Sequence, residues 1–229
     1  MEKSQAPLSR IRLGLIALAL SGLLFALGII LRGAVDIADP KGFLRVAASP
    51  AFVPGWTIIL VGGVLQLYGF FGLFRYLTYQ TESMIAFLAF VLNIAGIALF
   101  LPLATFFAVN GPVIADLYQQ GNQEVIAVVE ANFTSPLGLA LLAVSSVGGI
   151  IGAILFAIAI WRHGRLPKWT SVLFALSVPL LAFPVTFTTE LLGAVLLLIS
   201  AGVIAWKVWQ ESVAGAGRRA QHADPLRTM

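Results

Sequence analysis

Six stretches of the chain run for about 20 positions with almost nothing but apolar and small residues, and the polar residues collect between them. They cover residues 13–31, 56–74, 84–109, 136–161, 169–187 and 191–209. An α-helix needs about 20 residues to cross roughly 30 Å of hydrocarbon. A spanning segment must also satisfy its own backbone polar groups, which a helix does internally. The pattern therefore predicts an all-α fold: a polytopic transmembrane bundle of six helices forming one domain over residues 1–209. Residues 210–229 are polar, with Arg218 and Arg219 among them, and read as a mobile basic tail. The first stretch is longer than the apolar core of a signal peptide. The weak small-residue site over 34–38 is the nearest candidate for cleavage, so a retained helix is the reading here.

Two of the intervening segments are long enough to hold structure. Asp39-Pro40 reads as an N-cap followed by proline at the first helical position, opening a short interfacial helix over 41–48 that Pro50 and Pro54 end. Gly111-Pro112 is expected to stop the third span. Beyond it, Val113, Leu117, Val125, Val128 and Val129 fit one or two short amphipathic helices, broken at Gly121-Asn122.

Composition agrees with lipid as the solvent. Apolar residues make up 59% of the 229 and charged residues only 10%, against about a quarter charged in a soluble domain. The net charge of +4 is carried by residues flanking the apolar stretches, which argues for topology determinants and against a nucleic-acid partner. Of the 14 lysines and arginines, eleven fall on the side of both termini if there are six spans, and three (Arg32, Lys41 and Arg45) on the other. The positive-inside rule then places both termini in the cytoplasm. The expected bilayer is a bacterial inner (plasma) membrane, with another bilayer facing a similar cytoplasm as the alternative. Trp56, Trp161, Trp169, Trp206 and Trp209 stand at the predicted span ends, as interfacial anchors do.

Candidate chemistry is sparse. There is no cysteine, and both histidines, His163 and His222, lie outside the apolar stretches. No metal site, cofactor site or catalytic set is predicted. No ionisable residue occupies the middle of a span, and Glu190, in the turn before the last span, comes nearest. Neutral polar groups remain at depth. Gln66, Tyr68 and Asn93 form a candidate polar pocket, with interhelical hydrogen bonding as the plainer reading, and Ser21, Ser145 and Ser146 lie at similar depth. Pro102, Pro179 and Pro184 bend the outer halves of their helices. Around them Thr105, Asn110, Thr186 and Glu190 form a candidate outer vestibule, against the alternative of ordinary kinked helices. Gly148 and Gly152 form a GxxxG helix-packing motif, and Gly62, Gly63, Gly69 and Gly72 thin the second span. Matches between the first and fourth stretches (Leu13-Gly14-Leu15 with Leu137-Gly138-Leu139) fit either a three-plus-three inverted repeat or chance agreement among small and apolar residues.

In its length, its helix spacing, its long segment after the third span and its Trp161-Arg162-His163-Gly164-Arg165-Leu166-Pro167 link, the whole chain resembles a broad group of bacterial six-span membrane proteins, the domain-of-unknown-function 4386 type. The resemblance implies a six-span fold and no activity, cofactor or site residue.

Three functions fit, in this order. The first is a non-enzymatic scaffold or accessory subunit whose partners are the lipid bilayer and other membrane protein subunits. The second is a small-solute transporter or channel with a polar mid-membrane site. The third is a membrane-embedded enzyme acting on lipid, for which no catalytic constellation is visible. A continuous polar cavity from Glu190 to Gln66 would favour the second, and a tightly packed interior the first.

Overall fold

The structure, a computed structural model, describes residues 6–35, 39–79, 82–182 and 186–223. Lys3, Ala38, Pro184 and Arg227, used above, lie outside the described residues. Eight helices follow one another: α1 (Ala6–Arg32), α2 (Pro40–Ala47), α3 (Phe52–Leu77), α4 (Met84–Gln119), α5 (Glu124–Thr134), α6 (Pro136–His163), α7 (Lys168–Ala182) and α8 (Phe187–Ala223). Five of them, α1, α3, α4, α6 and α8, are long and apolar enough to cross a membrane. α7 has 15 residues, about 22 Å of helix, so the expected 169–187 span is present as a shorter apolar helix.

The helix ends follow local chemistry. The Asp39 side chain caps α2 by accepting from the Gly42 N–H, with Pro40 at the first helical position, as expected. Ser83 caps α4 and Ser135 caps α6 in the same way. Gly164 closes α6 with φ +73°, a left-handed conformation that glycine adopts without strain. The start of α8 is fixed by a reciprocal pair. The Thr186 N–H donates to Thr189 Oγ1 (3.0 Å) and the Thr189 N–H to Thr186 Oγ1 (3.2 Å), in the manner of a capping box.

The last helix does not end at 209, where the basic tail was expected to begin, but runs on as α8 to Ala223. Two further expectations about boundaries are corrected. α4 does not stop at Gly111-Pro112 but continues through Pro102 and Pro112 to Gln119. Each proline removes only one donor, and Gly111 lets the helix pass close to the Phe52 ring. The break falls instead at Gly121 (φ +94°), where the Gly121-Asn122 reading had put it. Pro54 does not precede the second span but lies in the first turn of α3, where proline is tolerated.

Six helices form a closed ring in chain order. α1 packs on α3, α3 on α4, α4 on α6, α6 on α7, α7 on α8, and α8 returns to α1. Every neighbouring pair is antiparallel. Gly14 meets Gly72 and Gly28 meets Gly55 across α1 and α3, while Gly22 meets Leu198 and Arg32 meets Glu190 across α1 and α8. Gly96 lies against Ser145 and Gly149 across α4 and α6, and Gly193 against Ser177 across α8 and α7. Small residues therefore form the seams, letting backbones approach closely. Gly148 takes no such part: a β-carbon there would be 3.8 Å from its nearest neighbour, an ordinary contact. Gly152 does pack closely, against Asn93.

This ring excludes the inverted repeat. A two-fold axis in the membrane plane reverses the order in which helices are met around a ring. It cannot carry α1, α3 and α4 onto α6, α7 and α8 in that order while also inverting their direction. The matches between the first and fourth stretches are agreement among small and apolar residues.

The outside of the ring is apolar, with Leu20, Leu27, Val61, Val64, Phe87, Val147, Ile151, Leu176 and Ile199 all exposed. In water such a surface is an aggregation hazard. In lipid it is the surface required, and the chain has the architecture of a multi-pass helical membrane protein. Trp161, Trp169, Trp206 and Trp209 are exposed near the helix ends, but Trp56 is buried and is no surface anchor. α2 turns Phe43, Leu44 and Ala47 inward over the ends of α3 and α4.

Candidate functional site

A cavity of about 180 Å³, partly open to the outside, lies within the ring, and all six of its helices contribute to the wall. Most of the wall is apolar: Phe25 from α1, Trp56 and Phe70 from α3, Ile97, Phe100 and Phe107 from α4, Leu142 from α6, and Val178 and Leu181 from α7. Polar groups occupy two places. Arg32 and Glu190 stand at one end, and Gln66, Asn93, Ser145 and Ser146 lie deeper in the bundle.

At the first end, Arg32 Nη2 donates to Glu190 Oε2 at 2.5 Å, with the two side chains only 5% and 11% exposed. The pair closes α1 onto the first turn of α8. The Arg32 guanidinium also lies over the Trp56 ring, 4.6 Å from its centroid, a contact worth up to about 2 kcal/mol when desolvated. Trp56 stacks on Phe107 (5.9 Å) and meets Phe52 edge-on, and Phe43 from α2 packs edge-on against Phe52 and Phe107. An ion pair and four aromatic rings from α2, α3 and α4 thus shut this end. Glu190 favours its position for a further reason: a carboxylate in the first turn of a helix meets the positive end of the helix dipole.

The opposite side of the cavity rests on three phenylalanines that meet across the ring. Phe70 stacks on Phe156 (5.7 Å), and Phe174 meets both edge-on at 6.4 and 6.1 Å. All three are essentially fully buried. Nearer the far end, the Tyr76 hydroxyl donates to Glu211 Oε2 at 3.3 Å, and Arg12 lies over Trp209. Packed contacts therefore lie on both sides of the cavity along the bundle, while the cavity itself is partly open.

Gln66 and Asn93, paired by sequence reasoning, do face the same cavity, at 3% and 2% exposure. Tyr68 does not join them. It lies two residues further along α3, turned about 200° round the helix, and is 66% exposed on the outer surface. Asn93 Nδ2 donates to the Ala89 carbonyl of its own helix (2.8 Å), and Gly152 provides the space for that amide. Ser146 donates to the Ala182 carbonyl across to α7 (3.3 Å). Gln66 and Ser145, buried residues that line the cavity, make no hydrogen bond among the described residues, and the fully buried donor left without one in this wall is Trp56 Nε1.

The expected outer vestibule is not assembled. Thr105 is exposed and donates to the Leu101 carbonyl, and Asn110 donates to the Phe106 carbonyl, each within α4. Thr186 is exposed and serves as the α8 cap. Only Glu190 reaches the cavity, and it does so from inside α8 rather than from a turn. Sequence reasoning missed Arg32, which had been read as a flanking charge. A signal for it existed: a lone arginine ends one span at the depth where a lone glutamate opens another. Trp56 and the Phe70–Phe156–Phe174 contact were missed as well, and nothing in the spacing of these residues marks them out from other apolar positions.

Compared with known protein families, characterised proteins and solved structures, the chain has no match. Its function must therefore be argued from the cavity itself.

Proposed function

We propose that the chain is a small-solute carrier of the bacterial inner (plasma) membrane that crosses it six times and holds its solute in the centre of the helix ring. Both termini are cytoplasmic, so the Arg32–Glu190 end faces outward and the Tyr76 end inward. α7 is also a span, the fifth of six in chain order, in keeping with the alternating direction of its neighbours and the short links on either side. This topology agrees with the resemblance to six-span proteins of the domain-of-unknown-function 4386 type.

The observation that carries the reading is a cavity built by all six ring helices, with unpartnered polar groups in its wall and a packed closure on each side. Trp56 Nε1 in that wall is a buried donor without a partner, which costs about 1–3 kcal/mol, a liability that a pure packing scaffold has no reason to keep. The small residues that motivated a scaffold reading form seams within the chain itself, as at Gly14–Gly72 and Gly96–Gly149. Two closures with a chamber between them suit a carrier better than an open channel, because a channel needs a continuous path.

Native mass spectrometry of the protein purified in mild detergent tests this. A small molecule retained by the wild type and lost in Leu103→Trp, which fills the cavity, supports the reading. An identical empty mass for both, with no uptake by proteoliposomes of any solute present in the source extract, overturns it.

A further inference from the structure

The solute-holding reading leaves open which molecule the cavity takes, and the cavity's own chemistry narrows the class. Its volume of about 180 Å³ slightly exceeds the roughly 150 Å³ of an engineered protein cavity that holds benzene. The body of the ligand is therefore about the size of one ring or a short branched chain, and the aromatic and aliphatic walls require that body to be apolar.

Charge is decided by the ion pair. Arg32 and Glu190 are the charged residues of the cavity wall, and they neutralise each other at 2.5 Å. A net anion or cation would find no surplus counter-charge and would lose its hydration without compensation. A zwitterion would have to part the pair in order to use either half. Neutral polar demand comes from the Trp56 N–H, buried without a partner beside Arg32, and from groups deeper in the bundle. The Gln66 amide offers two N–H donors and a carbonyl acceptor, and the Ser145 hydroxyl can donate or accept. Neither is partnered within the described protein, and Gln66 is 97% buried, the complement of its 3% exposure. These groups match an uncharged hydrogen-bonding group such as a hydroxyl, a carbonyl or an amide.

We propose, building on the carrier reading, that the cavity binds a small uncharged amphiphile: a ring-sized apolar body carrying one neutral hydrogen-bonding group that meets Gln66 and Ser145. Phenol stands for the class. Toluene lacks the polar group, and benzoate and phenylalanine add a net charge and a zwitterion. Each is presented to the full-length protein in mild detergent, and equilibrium dialysis against protein-free micelles removes the contribution of detergent partitioning.

Phenol is expected to bind on the order of tenfold more tightly than toluene, the increment of one or two net hydrogen bonds. Benzoate and phenylalanine are expected to bind at least about 100-fold more weakly than phenol, as desolvated charges without a free partner. Gln66→Leu should reverse the preference so that toluene matches or exceeds phenol, a change of selectivity that loss of folding would not give. Equal binding of phenol and toluene by the wild type, or benzoate or phenylalanine binding as tightly as phenol, overturns the ligand class and leaves the carrier reading standing. No binding of any probe, with a retained molecule still seen by native mass spectrometry, also overturns the class alone. No probe bound, no retained molecule and no uptake by proteoliposomes together overturn both.

Discussion

Replacing Glu190 with glutamine removes one charge from the buried pair while keeping its size and its capacity to hydrogen-bond. The guanidinium of Arg32 would then be buried beside Trp56 without a counter-ion. Unit charges about 4 Å apart, the rough separation of two delocalised groups in contact, interact by about 4 kcal/mol at an effective dielectric of 20. Breaking a buried pair by removing one partner typically costs about 3–5 kcal/mol. Because the Arg32 side chain is only 5% exposed, solvent does little to soften that loss. Glu190→Gln is therefore expected to destabilise the protein by about 3–5 kcal/mol, a large part of the 5–15 kcal/mol typical of a folded chain. The assay is reversible unfolding in mixed micelles with rising denaturing detergent, followed by tryptophan fluorescence. The double variant Arg32→Met with Glu190→Leu replaces the pair by apolar groups and should return to within about 1 kcal/mol of the wild type. A loss below about 1 kcal/mol for Glu190→Gln, or strictly additive losses in the double variant, would refute the reasoning. The pair would then be solvated or loosely made, and it would not close the ring.

Three further predictions use the same unfolding assay. Gly72→Val puts a β-carbon 2.7 Å from the Gly14 α-carbon, where backbone must give way, and should cost about 1–3 kcal/mol or more. Gly202→Ala, with nothing within 4 Å of the added carbon, is the control and should be neutral or slightly stabilising. Gln66→Leu removes an unpartnered buried amide and should stabilise the ligand-free protein by about 1 kcal/mol; a loss of that size would mean that the amide has a partner in the fold. Phe174→Ala removes a ring packed against Phe70 and Phe156 and should cost about 3–5 kcal/mol. It should also speed leakage of a trapped solute from proteoliposomes, and unchanged leakage would remove the aromatic contact from the role of closure.

Much of the architecture was legible because lipid makes simple demands. Long apolar stretches, flanking basic residues and the Asp39-Pro40 cap marked the helices and their approximate ends, while the Ser83 and Ser135 caps went unread. The failures have physical causes. Gly111-Pro112 reads as a stop because proline lacks a donor, yet a packed helix tolerates one missing hydrogen bond, and α4 runs on to Gln119. Two of the three candidate pocket residues were legible, since buried amides must face inward in a membrane, and Gln66 and Asn93 do. Tyr68 shows the limit: depth is readable from sequence, but the face of a uniformly apolar helix is not. The Arg32–Glu190 contact joins residues 158 apart in the chain, and only the closure of α8 onto α1 brings them together. Which polar residues meet is decided by the ring, and no local pattern specifies the ring.

The central claim is that Gln66, Asn93 and Ser145 face a solute-accessible chamber within the ring. The chain has no cysteine, so Ser145→Cys provides a single, nearly isosteric probe of that chamber. Val147→Cys, on the exposed apolar surface of the same helix, is the lipid-facing reference. In proteoliposomes, a small water-soluble thiol reagent should modify Cys at 145 but not at 147, more slowly in the presence of phenol and faster when Glu190→Gln is added. Equal inertness at both positions, with and without the opened ion pair, would contradict the account.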